Sequence, residues 1–147
     1  MASTTGYFIP QDRHYDGDSH MWAKMDSDVQ IVVGIDELGL ASLGDLAYLT
    51  LQATGVAVRR GDSLGTIEAT KMTGDIVAPI TGLLIDRNEQ AVGDPSVVNR
   101  DPYGEGWLVA IQPRAWEKEA VKLVSGEAIP KWVDAEIERY RAEGWID

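Results

Sequence analysis

The sequence predicts a mainly β fold, a β-sandwich or flattened β-barrel, with helices at its C-terminal end. Short apolar runs of alternating polarity recur over the first three quarters of the chain, and glycine-containing turns separate them. Many short strands at such spacing are typical of sandwiches and barrels. After about residue 113 the apolar side chains recur at helical spacing instead, which marks a change of structure.

The predicted strands are runs rich in apolar and β-branched side chains that turn residues separate. They cover residues 22–25, 29–33, 46–51, 83–86 and 107–111. Asp26-Ser27-Asp28 separates the first two, which predicts a β-hairpin. Gly55, Gly61 and Gly65 mark turns ahead of a further hairpin around Lys71.

One short helix is predicted inside the strand-rich region, between residues 35 and 43. Asp36 can cap its start, and Gly44 can end it. Residues 1–15 are polar, and we expect them to form an extended lead-in in which residues 6–10 pack on the body of the protein.

The C-terminal region is predicted to be helical. Pro113 opens one helical stretch that Gly126 breaks, and Pro130 opens a second that Gly144 ends. In the second stretch an apolar stripe recurs at helical spacing and consists of Trp132, Val133, Ile137 and Tyr140. We expect this stripe to pack on the β-structure, and a docking face for a partner is the alternative.

Lys71 occupies the turn of the predicted second hairpin. An apolar alternating run rises to this lysine from Gly65, and a second run, residues 76–80, descends from it into a Pro and Gly turn. Such a hairpin presents a single amine at its tip. An exposed turn lysine without a function has the same local pattern. Other segments of the sequence are therefore needed to distinguish a functional lysine from an ordinary one.

Glu68-Ala69-Thr70-Lys71-Met72 resembles the attachment site of lipoyl and biotinyl carrier domains, in which an enzyme acylates the lysine amine. The segment Asn99–Leu108 is similar to the signature Asn-x-Asp-Pro-Tyr-Gly-x-Gly-Trp of glycine-cleavage H proteins, and Asp94–Asn99 just before it resembles the same family. Together these segments identify the chain as a member of the H-protein family over residues 14–115.

The resemblance implies a lipoyl/biotinyl-type fold of two antiparallel sheets, with the modified lysine on a hairpin tip. It implies a lipoate in amide linkage to Lys71 and a carrier that is not itself an enzyme. The whole chain, residues 1–147, is then one carrier domain with a core at 20–112 and a helical extension at 113–147. The expected partners are a lipoate ligase or lipoyl transferase and the enzymes that load and unload the arm, including a dihydrolipoamide dehydrogenase.

The resemblance also implies a cleft that shelters the arm. Ser19, Glu68 and Asp75 match family residues at or near this cleft. Two positions depart from the family: Met21 replaces an acidic residue within His20-Met21-Trp22, and Leu38 stands where a polar residue is usual. An apolar cleft would shelter a cationic aminomethyl cargo poorly, because a buried cation needs an opposite charge or acceptors.

These departures, the divergent attachment motif and the helical C-terminal extension resemble a lipoate-binding carrier of sulfur oxidation, which serves a heterodisulfide-reductase-like complex, and favour that function. A true glycine cleavage system H protein carrying aminomethyl-lipoate is the alternative. Ala69 and Met72 keep a biotin carboxyl carrier open, and an unmodified interaction module is a further alternative.

Composition excludes several other functions. The net charge of -11 disfavours nucleic acid, because phosphate would be repelled. The chain has no cysteine, which excludes disulfides and thiolate metal sites, and its two histidines are too few for a metal site by themselves. Since neither a secretory signal nor an apolar run long enough for a membrane span is visible, we expect a cytoplasmic protein.

Overall fold

The computed structural model describes residues 6–147, whose strands form two antiparallel sheets. The strands of this part are β1 (His14–Tyr15), β2 (Met21–Ser27), β3 (Gln30–Ile35), β4 (Leu46–Leu51), β5 (Ala57–Val58), β6 (Ser63–Ala69), β7 (Thr73–Val77), β8 (Gly82–Arg87) and β9 (Val109–Pro113). The larger sheet has the order β1-β2-β3-β9-β8-β5, and the smaller one has the order β4-β6-β7. The sheets do not close into a barrel. Of the two predicted architectures, the β-sandwich is therefore confirmed.

Alternation of side chains along the larger sheet builds two cores. In β2, Met21 and Ala23 belong to the main core, to which both sheets contribute, whereas Trp22 belongs to a second core. Val32 of β3 likewise packs against the second core. Successive side chains of a strand point to opposite faces, so one apolar run supplies both cores.

The helices of the described part are α1 (Glu37–Leu43), α2 (Glu89–Gly93), α3 (Ser96–Arg100), α4 (Trp116–Ala120) and α5 (Ile129–Ala142). Helix α1 begins and ends as predicted: Asp36 Oδ1 accepts from Gly39 N at 2.8 Å, and Gly44 N donates to Leu40 O at 2.9 Å. The apolar stripe of α5 packs in the second core, which confirms the expected packing role. Within residues 6–147, no helix combines the length and apolar character that crossing a membrane requires.

Three local expectations are corrected by the structure. Gly65 lies inside β6 at a register shift rather than in a turn, where its missing side chain lets the backbone of Thr50 approach. Strand β9 continues through Pro113, so helix α4 begins only at Trp116. Helices α2 and α3 were not predicted, because each has only five residues and is too short for a helical period to show.

The segment that carries the Pro-Tyr-Gly motif is a turn, and it packs an aromatic ring. Tyr103 Oη donates to Phe8 O at 2.6 Å and accepts from Glu37 N at 2.9 Å. The ring of Phe8 meets that of Tyr103 edge-on at 5.7 Å, and Ile9 is buried in the second core. The predicted packing of residues 6–10 on the body is therefore confirmed, while residues 1–5 lie outside the described residues.

Candidate functional site

Lys71 lies at the tip of the hairpin that β6 and β7 form. Glu68 pairs with Thr73 across the ladder, and Ala69 N donates to Met72 O at 3.0 Å. Thr70, Lys71 and Met72 form the connection between the two strands. The lysine side chain is exposed, as the sequence predicted.

The tip is held by the connection between α1 and β4. Lys71 N donates to Leu43 O at 2.9 Å, and Thr70 N donates to Asp45 O at 3.0 Å. In return, Asp45 N donates to Thr70 Oγ1 at 3.1 Å. Because the α1–β4 connection satisfies the backbone donors of Thr70 and Lys71, the turn is held firmly even though it projects from the sheet.

Helix α1 also receives the lysine side chain. Lys71 Nζ donates to Ala41 O at 2.8 Å, in the last turn of the helix. The free carbonyls of a helix C-terminus carry partial negative charge, which favours an ammonium group there. Gly44 makes this approach possible: it adopts φ 82°, and a Cβ on it would collide with Thr70 Oγ1 and lie 3.3 Å from Lys71 Cγ.

Asn99 supports this connection from the other side. Its Nδ2 donates to Gly44 O at 3.0 Å, and its Oδ1 accepts from Leu46 N at 2.9 Å. The sequence placed Asn99 in a family signature without a role. The structure shows that it braces the α1–β4 connection on which the hairpin tip rests.

A cleft of about 230 Å³ opens beside the hairpin. Strands β2, β3, β6 and β7 and helices α1 and α5 all contribute to its walls, which are mostly apolar. The lining residues are Ser19, Met21, Ile35, Gly39, Ser42, Leu43, Ile67, Met72, Gly74, Asp75, Ile76, Val77, Tyr140 and Trp145.

Ser19 and Asp75 give the cleft polar groups that a guest could use. Ser19 Oγ is buried and has no hydrogen-bond partner within residues 6–147. A buried hydroxyl without a partner costs about 1–3 kcal/mol, so a ligand that pairs with it gains affinity. The Asp75 carboxylate is exposed and accepts from Ser63 Oγ at 3.2 Å.

The other residues expected at the cleft are distributed differently. Met21 lines the cleft and is only 3% exposed. Leu38 does not line it, because its side chain is fully buried in the second core, and the expectation that it faces the cleft is corrected. Glu68 is exposed on β6 between Tyr48 and Thr73 of the neighbouring strands, outside the cleft.

Tyr140 and Trp145 also line the cleft, although the sequence did not predict this position for either of them. Tyr140 was expected only as a member of the packing stripe, and Trp145 was not singled out. Their rings meet edge-on, with centroids 5.1 Å apart. Burial raises the pKa of Tyr140 above its usual value, so its hydroxyl stays neutral. The aromatic character of the residues around Gly144 was the available signal.

A buried histidine ties helix α5 to this site. His20 Nδ1 lies 2.8 Å from Asp36 Oδ2, and Nε2 lies 2.8 Å from Glu136 Oε1. Burial by itself would lower the pKa of His20, but the charges and hydrogen bonds of both carboxylates outweigh it and raise the pKa. An ionised carboxylate can only accept hydrogen bonds, so the protonated imidazole, which donates from both ring nitrogens, satisfies both carboxylates.

The histidine network joins two helices that frame the cleft. Asp36 caps α1, and Glu136 lies on α5, where Arg139 donates to both of its carboxylate oxygens at 2.7 and 2.8 Å. Trp132 stacks on the imidazole at 4.9 Å. No group of His, Asp and Glu side chains between residues 6 and 147 is arranged to hold a metal ion. The two close contacts of His20 with carboxylates make this network an ion-pair anchor for α5.

Comparison with known proteins finds similarity to one protein family. The family model described as glycine cleavage H-protein matches residues 13–136. The chain is 33% identical over 134 residues to the glycine cleavage system H protein 2 of Aquifex aeolicus, covering 91% of this chain and 83% of that protein. It is 35% identical over 128 residues to the glycine cleavage system H protein of Carboxydothermus hydrogenoformans, covering 87% and 96%.

A solved structure shows the same similarity in three dimensions. The crystal structure of a glycine cleavage system H protein from Mycobacterium marinum superposes with a TM-score of 0.76 at 33% identity. The match covers 87% of this chain and 98% of that chain.

Proposed function

The chain belongs to the glycine cleavage H-protein family, whose members are non-catalytic carriers with a lipoate on a lysine, and on that premise we propose that Lys71 bears the arm. The observation that carries the proposal is the exposed connection of residues 70–72, on which Lys71 stands. The other four lysines lie on β2 or in the C-terminal region after residue 113.

The cleft residues suit a lipoyl group. The hydroxyl of Ser19 has no partner within residues 6–147, and the apolar walls accept an aliphatic chain. Lipoate supplies a dithiolane, which brings sulfur chemistry to a chain that has no cysteine. Lys71 supplies the amine that becomes the amide, and acylation removes its positive charge. Exposed Glu68 near the tip is a recognition point for the attaching enzyme.

We further propose that this chain serves the glycine cleavage system. Its partners are then the enzymes of that system, a dihydrolipoamide dehydrogenase among them. The cargo of the arm is then an aminomethyl group, which is a cation. The Asp75 carboxylate at the cleft supports this assignment, because a sheltered cation needs an opposite charge. The relatives compared above are named as H proteins of the glycine cleavage system.

A carrier of sulfur oxidation is the second candidate, and Met21 is the observation that favours it. This residue places a buried thioether where the family usually has an acid. Leu38 does not favour this candidate, since its side chain lies in the second core. We therefore rank the heterodisulfide-reductase-like partner below the glycine cleavage enzymes.

Mass spectrometry of Lys71→Arg protein tests the attachment site. Arginine keeps the positive charge but is a poor acyl acceptor, so this variant should carry no lipoyl group after treatment with lipoate ligase. Lys131→Arg on α5 is the matched control and should be modified like the wild type. A lipoyl group on Lys71→Arg protein would refute the assignment, and biotin in place of lipoate on wild-type Lys71 would favour the biotin carrier.

Turnover with purified glycine decarboxylase and aminomethyltransferase tests the cargo. Lipoylated wild-type protein should support turnover comparable to that of an established H protein, because Asp75 and Ser19 remain at the cleft. Met21→Glu should then change it little. If wild-type turnover is far lower and Met21→Glu raises it, the sulfur-oxidation candidate takes precedence.

A further inference from the structure

One side of the cleft comes from a segment beyond the family match. That match ends at Glu136, whereas α5 continues to Ala142 and the described chain to Asp147. Tyr140 and Trp145 of this segment both line the cleft. Both residues therefore lie outside the part of the chain that the family model matches.

The end of α5 directs Trp145 back toward the cleft. Gly144 adopts φ 77°, a left-handed conformation that commonly ends helices. Trp145 N then donates to Tyr140 O at 2.9 Å, which turns the chain back along the helix. The indole is 36% exposed, so most of its surface is covered although it lies near the chain end.

Charged groups fix the same end of α5. The guanidinium of Arg139 lies over the rings of Tyr140 and Trp145, at 5.1 and 5.6 Å from their centroids. Arg139 also pairs with Glu136, which binds buried His20. The aromatic pair therefore has a defined position relative to β2 and α1.

The wall is chemically suited to sulfur. Two thioether side chains, Met21 and Met72, line the cleft together with Tyr140 and Trp145. Methionine sulfur and aromatic rings are polarisable, and divalent sulfur makes favourable contacts with aromatic rings. An apolar, sulfur-containing group is thus a better guest for this part of the cleft than a strongly hydrated one.

Resting on the proposed function, we propose that Tyr140 and Trp145 form an aromatic wall that holds the sulfur-bearing end of the lipoyl arm and screens it from water. Trp145 forms the outer part of this wall, because it is the more exposed of the two. Tyr140 supports it from within the second core.

Indole N–H signals in nuclear magnetic resonance spectra give a direct test. The chain has five tryptophans, and Trp145→Phe identifies the signal of Trp145 by its loss. Spectra are recorded on unmodified protein and on protein whose lipoyl group on Lys71 has been confirmed by mass. The Trp145 signal should shift on lipoylation, whereas that of Trp116, which does not line the cleft, should stay in place.

Thiol reactivity gives a second test. After reduction of the arm with a phosphine, iodoacetamide should alkylate its thiols about three- to ten-fold faster in Trp145→Ala than in the wild type, in line with loss of one aromatic contact. Trp145→Phe should stay close to the wild type. Trp116→Ala is the matched control, because it removes an indole that packs on His14 instead.

The outcomes separate this proposal from the function it rests on. An absent lipoyl mass on Lys71 overturns the proposed function itself. With the lipoyl mass present, an unmoved Trp145 signal and unchanged alkylation in Trp145→Ala overturn the aromatic wall alone. Equal acceleration in Trp116→Ala also overturns it, since a general loss of stability would then be the cause.

Discussion

His20→Gln should remove a buried charge that joins helix α5 to the rest of the protein. His20 and Asp36 are fully buried, the Glu136 side chain is 10% exposed, and both contacts to the imidazole measure 2.8 Å. Removing one partner of such a network leaves a carboxylate buried without compensation, which typically costs about 3–5 kcal/mol. We expect the lower end of that range, because Arg139 still pairs with Glu136 and Asp36, although it loses its charged partner, still accepts from Gly39 N.

The free energy of unfolding that is lost in His20→Gln should depend on pH, and the direction follows from the pKa shift of His20. The folded-state pKa of His20 is raised above 6.5, so its stabilisation is complete below pH 6.5 and is lost as pH rises through the folded pKa. Burial lowers the pKa of His14, the other histidine, so stability is instead lost as pH falls below 6.5 toward its folded pKa. One differentially bound proton changes the free energy of unfolding by at most about 1.4 kcal/mol per pH unit.

Urea unfolding followed by tryptophan fluorescence between about pH 5 and 9 measures both effects. Wild-type stability should decline on the alkaline side of pH 6.5, and His20→Gln should flatten that decline. His14→Gln is the matched control, and it should keep the alkaline decline while losing the histidine-dependent decline on the acidic side. An alkaline decline that persists unchanged in His20→Gln would show that the imidazolium network is not its source.

Two glycine substitutions test the close approaches in the fold. Gly44→Ala and Gly61→Ala both place alanine at positive φ, at a cost of about 1–3 kcal/mol, but only the first collides with the hairpin tip. Gly44→Ala should therefore slow lipoylation by a ligase while Gly61→Ala does not, and equal rates would contradict the proposed support of the tip. Gly34→Ala places a Cβ 2.5 Å from the buried Trp22 ring and should lower the free energy of unfolding by about 1–3 kcal/mol. Gly93→Ala, with nothing within 4 Å of its Cβ, should stay within about 0.5 kcal/mol in the same urea assay.

Local sequence patterns predicted much of the fold. The hairpin of β2 and β3, the capped helix α1 and the Lys71 hairpin were all predicted, because each depends on neighbouring residues and on turn or capping chemistry. The predicted strand 46–51 is β4 with the same bounds. The family of the chain was also readable, since Asn99–Leu108 is contiguous in sequence.

Only the tertiary structure decided how the cleft is built. Leu38 and Met21 were equivalent apolar departures in the sequence, yet packing buries one in the second core and places the other in the cleft wall. His20 reaches Glu136 across 116 residues, and Trp145 reaches a cleft formed by strands far earlier in the chain. The sequence by itself determined most of the longer strands and helices, because periodicity and turn chemistry act over a few residues. The site depends on which faces of those elements meet, and that follows from long-range packing that no local pattern encodes.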